Sequence, residues 1–156
     1  MYATGLTLKI ENVPEFRRRF EEIVKNQVTD LQQLQTIDVD AKITLSDITP
    51  RFYRILKQFA PFGPHNMTPV FMTEDVFDAG TSRLVGKNKD HLKLDLVEPD
   101  VNSGIFPGIA FNKSDKFDLI TSGLPFDVCY SLTENEYRGK TSLQLFIRDI
   151  KKRDIF

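Results

Sequence analysis

The sequence feature that most constrains the fold is a run of strict alternation that follows a glycine turn. Leucines occupy positions 92, 94 and 96, and His91, Lys93 and Asp95 alternate with them. Successive side chains of a strand point to opposite faces, so this pattern predicts a strand with one buried and one exposed face. The preceding residues 86–90, Gly-Lys-Asn-Lys-Asp, predict a turn with Lys87 and Lys89 at its tip. Together they form a candidate binding edge.

The residues around this strand indicate an all-β region. The predicted elements are strand one at 70–85 with a bend at Gly80, strand two at 91–97, strand three at 105–111, a helix at 114–122, strand four at 126–132, a loop at 133–139 and strand five after it. Five strands with a helix between the third and the fourth is the element order of an OB-fold, a partly open Greek-key barrel. The apolar side of that helix would close the bottom of the barrel.

The first 60 residues have a different pattern. They predict a strand at 2–10, a helix from Asn12 to about Leu34, a strand at 37–45 and a helix that Thr49 caps. Prolines 61, 64 and 69 then make a stiff connector. The predicted fold class is therefore mainly β, a five-stranded OB barrel preceded by an α+β strand-helix-strand-helix segment. The predicted domains are 1–60, a connector at 61–69, and the OB domain at 70–156.

Bulk composition restricts the possible functions. The 21 Lys and Arg residues against 22 Asp and Glu give a net charge of −1, so the chain has no global attraction to nucleic acid or membrane. The single cysteine, Cys129, cannot form an internal disulfide and fits a reducing compartment. We find no apolar run of the roughly 20 residues that a membrane span needs, and no signal-peptide pattern. We expect a cytoplasmic monomer without a membrane partner.

The sequence contains no recognisable catalytic motif. His65 and His91 stand apart from each other, and Cys129 falls within a strand without a marked partner base. Asp38 and Asp40 project from one face of the strand at 37–45, which is more typical of a wet strand face than of a metal site. We therefore predict no catalytic residue, no metal ligand and no cofactor in this chain.

The OB architecture gives the basic residues a role. Its ligands meet the face of strands two and three and the loops joining strands one to two and four to five. Seven residues there are the candidate nucleic-acid contacts: Lys87, Lys89, His91, Lys93, Tyr137, Arg138 and Lys140. Phe106 on strand three adds an aromatic ring, and cations beside aromatics are the components of single-strand binding.

The charge balance supports a different interpretation equally. From residue 65 onward there are 12 Lys and Arg against 14 Asp and Glu, whereas strand-binding modules are usually basic. Four acids interrupt the candidate patch: Asp90, Asp95, Glu134 and Glu136. The alternative is a scaffold or protein-docking OB module that does not touch DNA.

Several motifs in order resemble one family along nearly the whole chain. They are Ala3-Thr4-Gly5-Leu6, Ala60-Pro61-Phe62-Gly63, Val85-Gly86-Lys87 with His91-Leu92-Lys93-Leu94, Ile109-Ala110-Phe111-Asn112, and Tyr137-Arg138-Gly139 before Leu143-Gln144-Leu145. This series resembles the C-terminal part of the RecJ-type single-strand-specific exonucleases. The chain departs from the family pattern near its start, where Thr4 replaces an alanine and a Gly-Gly-His segment is missing.

The resemblance implies a fragment of a longer nuclease. Residues 1–60 would be the end of the domain associated with the Asp-His-His phosphoesterases, and the remainder would be the OB domain. The parent would cleave single-stranded DNA from its 5′ end in repair and recombination, with Mn²⁺ or Mg²⁺ in a catalytic domain outside this chain. This part would bind and position the strand, with the catalytic domain and possible repair proteins as further partners.

Overall fold

The computed structural model describes residues 5–27, 36–99 and 104–153, although the side chains of 25–27 and of Tyr137 are not among what it describes. The chain divides into two compact units, residues 1–37 and residues 38–156. The predicted boundary at residue 61 differs from this division, because residues 38–60 group with the barrel. The assignment of residues 1–60 to a phosphoesterase-associated domain stays a prediction.

The described residues of the first unit form a 3-10 turn and a helix. A 3-10 turn at Ile10–Asn12 leads into α1, Val13–Gln27, which is the predicted amphipathic helix. Its predicted end near Leu34 lies outside the described residues. The predicted strand at 2–10 is wrong over residues 5–10, which form an irregular segment and the 3-10 turn. A strand needs a hydrogen-bonded neighbour, and the described residues of this unit supply none.

The second unit is a closed five-stranded barrel with two additional short strands. The strands are β1 Ala41–Lys42, β2 Phe71–Asp78, β3 Arg83–Val85, β4 His91–Val97, β5 Phe106–Ala110, β6 Phe126–Tyr137 and β7 Lys140–Lys152. Hydrogen bonding follows the order β1-β2-β6-β7-β5-β4-β3, and β2 also pairs with β4, which closes the barrel. The β5–β7 pair is parallel, while β4–β5 and β6–β7 are antiparallel. The predicted OB class is confirmed.

The predicted strand one is a bent strand in two pieces. Gly80 has φ of 86°, a conformation that glycine adopts without steric cost, and it separates β2 from β3. The end of β2 pairs with one end of β4 at Phe77↔Val97, and β3 pairs with the other end at Leu84↔Leu92. The bend therefore lets one chain segment cover the whole length of β4.

The predicted loop at 133–139 is wrong. Residues 133–137 continue β6, and the register runs without a break from Tyr130↔Ile147 to Tyr137↔Lys140. Arg138 and Gly139, with φ of 51° and 73°, form a two-residue turn of the kind that joins antiparallel strands. The polar residues that suggested a loop occupy a β-ribbon that is exposed from Glu134 to Glu136.

Only Ala41–Lys42 of the predicted strand at 37–45 form a strand in the structure, and this strand is β1. It pairs with β2 in parallel at Ala41↔Phe71, and Leu45–Asp47 then form a 3-10 turn instead of continuing the strand. The reason is a capping box, in which the Asp47 carboxylate accepts from the Thr44 backbone N–H and hydroxyl at 2.8 Å each.

The predicted helix after Thr49 is confirmed as α2, Pro50–Leu56, followed by a 3-10 turn at Lys57–Phe59. The Thr49 hydroxyl accepts from the Phe52 N–H at 3.1 Å. The predicted connector follows this turn. There the Asn66 amide donates to the Phe59 carbonyl at 2.8 Å and to the Pro61 carbonyl at 2.9 Å. These two hydrogen bonds hold the first part of the connector in an ordered turn.

The inward side chains of all five barrel strands form one core. Leu92, Leu94 and Leu96 are fully buried, as the alternation predicted. Ile120 closes one end from α3, Phe117–Thr121, which follows a 3-10 turn at Ser114–Lys116 in the predicted helix position. Burial of this apolar surface is the main stabilising contribution.

A buried hydroxyl pair joins β1 to the barrel. The Thr73 hydroxyl donates to the Ile43 carbonyl at 2.8 Å, so the Tyr130 hydroxyl, 2.7 Å away, is the donor in the Tyr130–Thr73 hydrogen bond. Burial raises the pKa of Tyr130 far above its usual range, which keeps that donor protonated.

Candidate nucleic-acid interface

The outer face of β4, β5 and β7 carries the polar side of the alternation. Lys93 pairs with Ile109 across the β4–β5 ladder, and Ile109 lies beside Phe146 in the parallel β5–β7 register. Their neighbours Leu92, Ala110 and Leu145 point inward and are fully buried. The period of two along each strand thus brings these three outward residues into one row.

Three rings form a continuous aromatic surface on this face. His91 contacts Phe111 edge to face at 5.0 Å between ring centroids, and Phe111 contacts Phe146 at 5.7 Å. Phe111 is 48% exposed, a large fraction for an aromatic ring at a strand end. We call these three residues the aromatic row.

Arg148 extends the aromatic row with a fixed cation. Its guanidinium carbon lies 4.7 Å from the centroid of the Phe146 ring, and its Nε donates to the Ser131 hydroxyl at 3.3 Å. A guanidinium that stacks on a ring keeps its remaining N–H groups free to bind phosphate oxygens in two-pronged fashion. The face therefore combines a stacking surface with an anion-binding group.

His91 is oriented by the backbone that follows β5. Its Nδ1 accepts from the Asn112 N–H at 3.1 Å, so the neutral ring carries its proton on Nε2. The side chain of His91 is 26% exposed. The ring is thus both a member of the aromatic row and a positioned hydrogen-bond donor.

Two cations stand directly opposite each other on the same face. Arg83 of β3 pairs with Lys93 of β4, and among the described residues neither has an acidic partner. Like charges at opposed positions of an antiparallel pair are unfavourable by themselves. A bound anion would relieve this repulsion, which makes the pair a candidate phosphate contact.

The turn between β3 and β4 presents Lys87 and Lys89 as predicted. Both are exposed, and the Lys89 N–H donates to the Gly86 carbonyl at 3.2 Å. Gly86 has φ of +93°, and a Cβ there would lie 2.8 Å from the Asp90 carboxylate, so the turn requires glycine. The two lysines border the His91 end of the aromatic row.

The other predicted cluster lies at the opposite end of the strands. Tyr137 and Lys140 pair at the tip of the β6–β7 ribbon, and Arg138 lies in its turn. Because β5 and β7 are parallel, Arg148 lies level with Phe111, and the eight residues back to Lys140 span about 26 Å. The structure therefore separates the seven predicted residues into two clusters with the aromatic row beside one of them.

Two of the four acidic residues that interrupt the candidate patch have polar partners in the structure. Asp95 accepts from the Thr81 hydroxyl at 2.7 Å, and Glu134 pairs with Lys57 at 3.0 Å. Of these two acids, only Glu134 is paired with a cation.

The sequence prediction missed Arg83, Phe111, Phe146 and Arg148. The signal for Phe146 was present, because it is a large aromatic at an outward position of β7, between buried Leu145 and Ile147. No sequence pattern places β7 beside β5, since these strands are more than 30 residues apart and pair only through the barrel topology.

Asp40 and Cys129, weighed from the sequence as a metal ligand and a nucleophile, have other surroundings in the structure. Among the described residues no group of three or more His, Cys, Asp or Glu is arranged to hold a metal ion. Asp40, considered as a ligand, accepts from the Val70 N–H at 2.8 Å instead. Burial, with Asp149 and Asp127 nearby, raises the pKa of the Cys129 thiol, which is opposite to the activation of a nucleophile.

A closed five-stranded barrel with a capping helix, bearing aromatic rings and cations on strands β4, β5 and β7, defines an OB-fold module. The RecJ OB domain family matches residues 39–149. The chain therefore belongs to the RecJ family and contains its OB domain.

Known relatives agree with this assignment. The single-stranded-DNA-specific exonuclease RecJ of Bacillus subtilis is 29% identical over 94% of this chain and 18% of its own length. The corresponding protein of Dickeya dadantii is 32% identical over 95% of this chain and 25% of its own length. The chain thus spans about a fifth to a quarter of these curated relatives.

A solved structure supports the fold independently. The crystal structure of RecJ from Thermus thermophilus in complex with Mg²⁺ matches 96% of this chain and 21% of that chain, with a TM-score of 0.63 at 19% identity. No described helix of the present chain is long and apolar enough to cross a membrane.

Proposed function

We propose that this chain binds single-stranded DNA and positions it for the nuclease domain of a RecJ-type exonuclease. The observation that carries the proposal is the aromatic row, His91, Phe111 and Phe146, with Arg148 stacked on one end. Base stacking on aromatic rings is tolerant of sequence, and nearby cations follow the phosphate backbone. Both properties suit a module that must bind single strands of any base sequence.

The proposal assigns each cluster a part of the task. The aromatic row receives bases, Arg148 and the Arg83–Lys93 pair contact phosphates, and Lys87 and Lys89 extend the positive surface from the adjoining turn. Arg138 and Lys140 at the ribbon tip contact the strand further along. The positive-charge count is small, so binding by this chain alone is weak and strongly dependent on salt.

The proposal also includes the reaction that the whole parent protein would catalyse. The parent would hydrolyse single-stranded DNA from its 5′ end during repair and recombination in the bacterial cytoplasm, with Mn²⁺ or Mg²⁺ held outside this chain. The name of the Bacillus subtilis relative, a single-stranded-DNA-specific exonuclease, supports the nuclease part of this expectation. The role of the present residues would be to hold the strand, not to cleave it.

Fluorescence anisotropy of labelled oligothymidine tests the proposal. At low salt the chain should bind the single strand saturably, and a duplex of the same length should bind less tightly because its bases are not free to stack. A flat titration into the high micromolar range would contradict the proposal.

The alternative function, a scaffold or protein-docking module, has one observation in its favour. Ile55 and Phe59 are 47% and 63% exposed, and they line a small apolar cavity of about 270 Å³ with Phe52, Leu56, Pro69 and Phe71. Exposed apolar residues that cluster in this way are typical of protein interfaces. Under this alternative, charge reversal at Lys87 and Lys89 leaves DNA processing by the parent nuclease unchanged and instead disturbs stability or the capture of a protein partner.

A further inference from the structure

A groove lies between α2 and the barrel, beside the N-terminal end of β5. Its volume is about 760 Å³, within the range of sites that hold small organic ligands. Six of its lining residues matter here: Tyr53, Arg54, Lys57, Phe106, Pro107 and Leu143. The groove is separate from the aromatic row, which lies at the other end of β5.

The register fixes how far apart the two surfaces are. Phe106 begins β5 opposite the buried Leu96, so it lies on the inward side of the strand at the end of the barrel, whereas Phe111, which follows the last residue of β5, lies on the outward side. Five residues of extended chain separate them, which corresponds to about 17 Å. Because one OB domain covers about 4 to 16 nucleotides, a single bound strand can reach both surfaces.

The lining of the groove includes two aromatic rings, Tyr53 and Phe106, and the apolar residues Pro107 and Leu143. Tyr53 and Phe106 are half-buried, so each ring retains an accessible part. The Lys57 ammonium lies 5.6 Å from the centroid of the Tyr53 ring and pairs with Glu134 at 3.0 Å, which fixes Lys57 beside the ring. A planar heteroaromatic group would stack on such walls more favourably than a flexible aliphatic side chain.

Arg54 supplies the anion-binding group of the groove. It is exposed and, among the described residues, has no hydrogen-bond or ion-pair partner. An unpaired guanidinium above an apolar, aromatic-walled cavity matches a ligand whose planar group is attached to an anion. Nucleotides have this chemistry at every position of a strand.

We propose that this groove is a second single-strand subsite, which holds one nucleobase between Tyr53 and Phe106 while Arg54 binds the adjoining phosphate. This inference rests on the proposed function and extends it by naming where the strand goes beyond the aromatic row. Helix α2 thereby contributes to DNA binding together with the barrel. An acidic peptide is the competing occupant, but it would use Arg54 without needing two rings.

The length dependence of binding tests the groove. Anisotropy titrations with labelled oligothymidines of about 4 to 16 nucleotides compare the wild-type chain with Arg54→Ala and with Arg51→Ala. Arg51 is an exposed arginine on the same helix outside the groove, so it is a matched control. Wild type and Arg51→Ala should gain affinity with length until the oligonucleotide reaches the groove.

The expected result is a length-specific loss. Arg54→Ala should bind the shortest oligonucleotides as wild type does and the longest roughly 5-fold to 10-fold more weakly, as the loss of one phosphate contact predicts. A 5-iodouracil placed along the longest oligonucleotide should photo-crosslink to Tyr53 or Phe106 at one position. Such a crosslink is obtained with unsubstituted protein and so does not depend on the folding of a variant.

The outcomes separate this inference from the proposed function. If the wild type binds, but Arg54→Ala retains the full length dependence and all crosslinks fall on the aromatic row, the groove is not a strand subsite and the proposed function survives. Competition by an acidic peptide without any crosslink to the groove would assign it to a protein and overturn the inference. If no oligonucleotide binds, both fail together.

Discussion

The rings of Phe111 and Phe146 lie 5.7 Å apart on the outer face of the barrel, although 35 residues separate them along the chain. Their contact exists because β5 and β7 pair in parallel, with Ile109 beside Phe146. The aromatic row is therefore a product of the barrel topology and not of any local motif.

Removal of the Phe146 ring, at the Arg148 end of the aromatic row, should weaken DNA binding. Phe146 contacts Phe111 and supports Arg148, so Phe146→Ala loses a stacking partner and releases the guanidinium. Loss of one stacked base costs about 1–3 kcal/mol, which is roughly a 5-fold to 150-fold rise in Kd for oligothymidine.

Phe59→Ala is the matched control for this change, since Phe59 is 63% exposed and lies on the 3-10 turn after α2. It should bind as wild type does. Equal affinities of Phe146→Ala and wild type, with both chains folded by circular dichroism, would remove Phe146 from the interface.

The salt dependence of binding should report the Arg83–Lys93 pair. Each phosphate that a protein neutralises on a single strand contributes about −0.7 to the slope of log K against log salt. Lys93→Gln should therefore make the slope shallower by about 0.7. Lys42→Gln, which removes a lysine already paired with Glu74, should leave the slope unchanged. Identical slopes for all three chains would show that Lys93 does not contact phosphate.

The buried hydroxyl pair predicts two unequal losses of stability. Tyr130→Phe removes the donor to Thr73 but leaves the Thr73–Ile43 hydrogen bond, so the free energy of unfolding should fall by about 1 kcal/mol. Thr73→Val should cost more, about 2–3 kcal/mol, because the Tyr130 hydroxyl and the Ile43 carbonyl both lose a partner in the core. Urea denaturation measures both values, and a larger loss for Tyr130→Phe would contradict this hydrogen-bond assignment.

Acid should weaken the capping box at Asp47. Hydrogen bonds from the Thr44 backbone N–H and hydroxyl lower the pKa of Asp47 in the folded chain. A lowered folded pKa stabilises the fold above the unfolded value near 3.9, and that contribution disappears as the pH falls through the folded pKa. Since Asp47 is exposed, the effect should be under about 1 kcal/mol.

The difference in unfolding free energy between wild type and Asp47→Asn isolates this contribution. It should be constant above about pH 5 and should shrink steadily below that, because only the wild type titrates at this position. A difference that grows on acidification would contradict the assigned sign.

The sequence predicted the barrel more completely than the interface. The leucines at 92, 94 and 96 determine β4 to the residue, because burial of one face imposes the period of two. The predicted strand at 37–45 was too long because the Thr44–Asp47 capping box, a local hydrogen-bonding arrangement, ends the extended segment. The predicted loop at 133–139 was wrong because exposed ribbons need no apolar face, so residues 133–137 carry no alternation to mark them.

Half of the candidate site was accessible to sequence reasoning. Lys87, Lys89, His91 and Lys93 belong to one contiguous stretch, and the OB element order predicts a DNA-binding role for them. Phe111, Phe146 and Arg148 join them only through pairing between distant strands. Residue patterns within one strand show which side chains point outward, but not which outward side chains of other strands lie beside them.

The most direct test of the central claim is an NMR titration of the isotope-labelled chain with oligothymidine at low salt. The account predicts that backbone amide shifts concentrate on the outward residues of β4, β5 and β7, around Lys93, Phe111 and Phe146, and that a duplex produces weaker changes. Shifts centred on Ile55 and Phe59, or a spectrum that oligothymidine leaves unchanged, would contradict it.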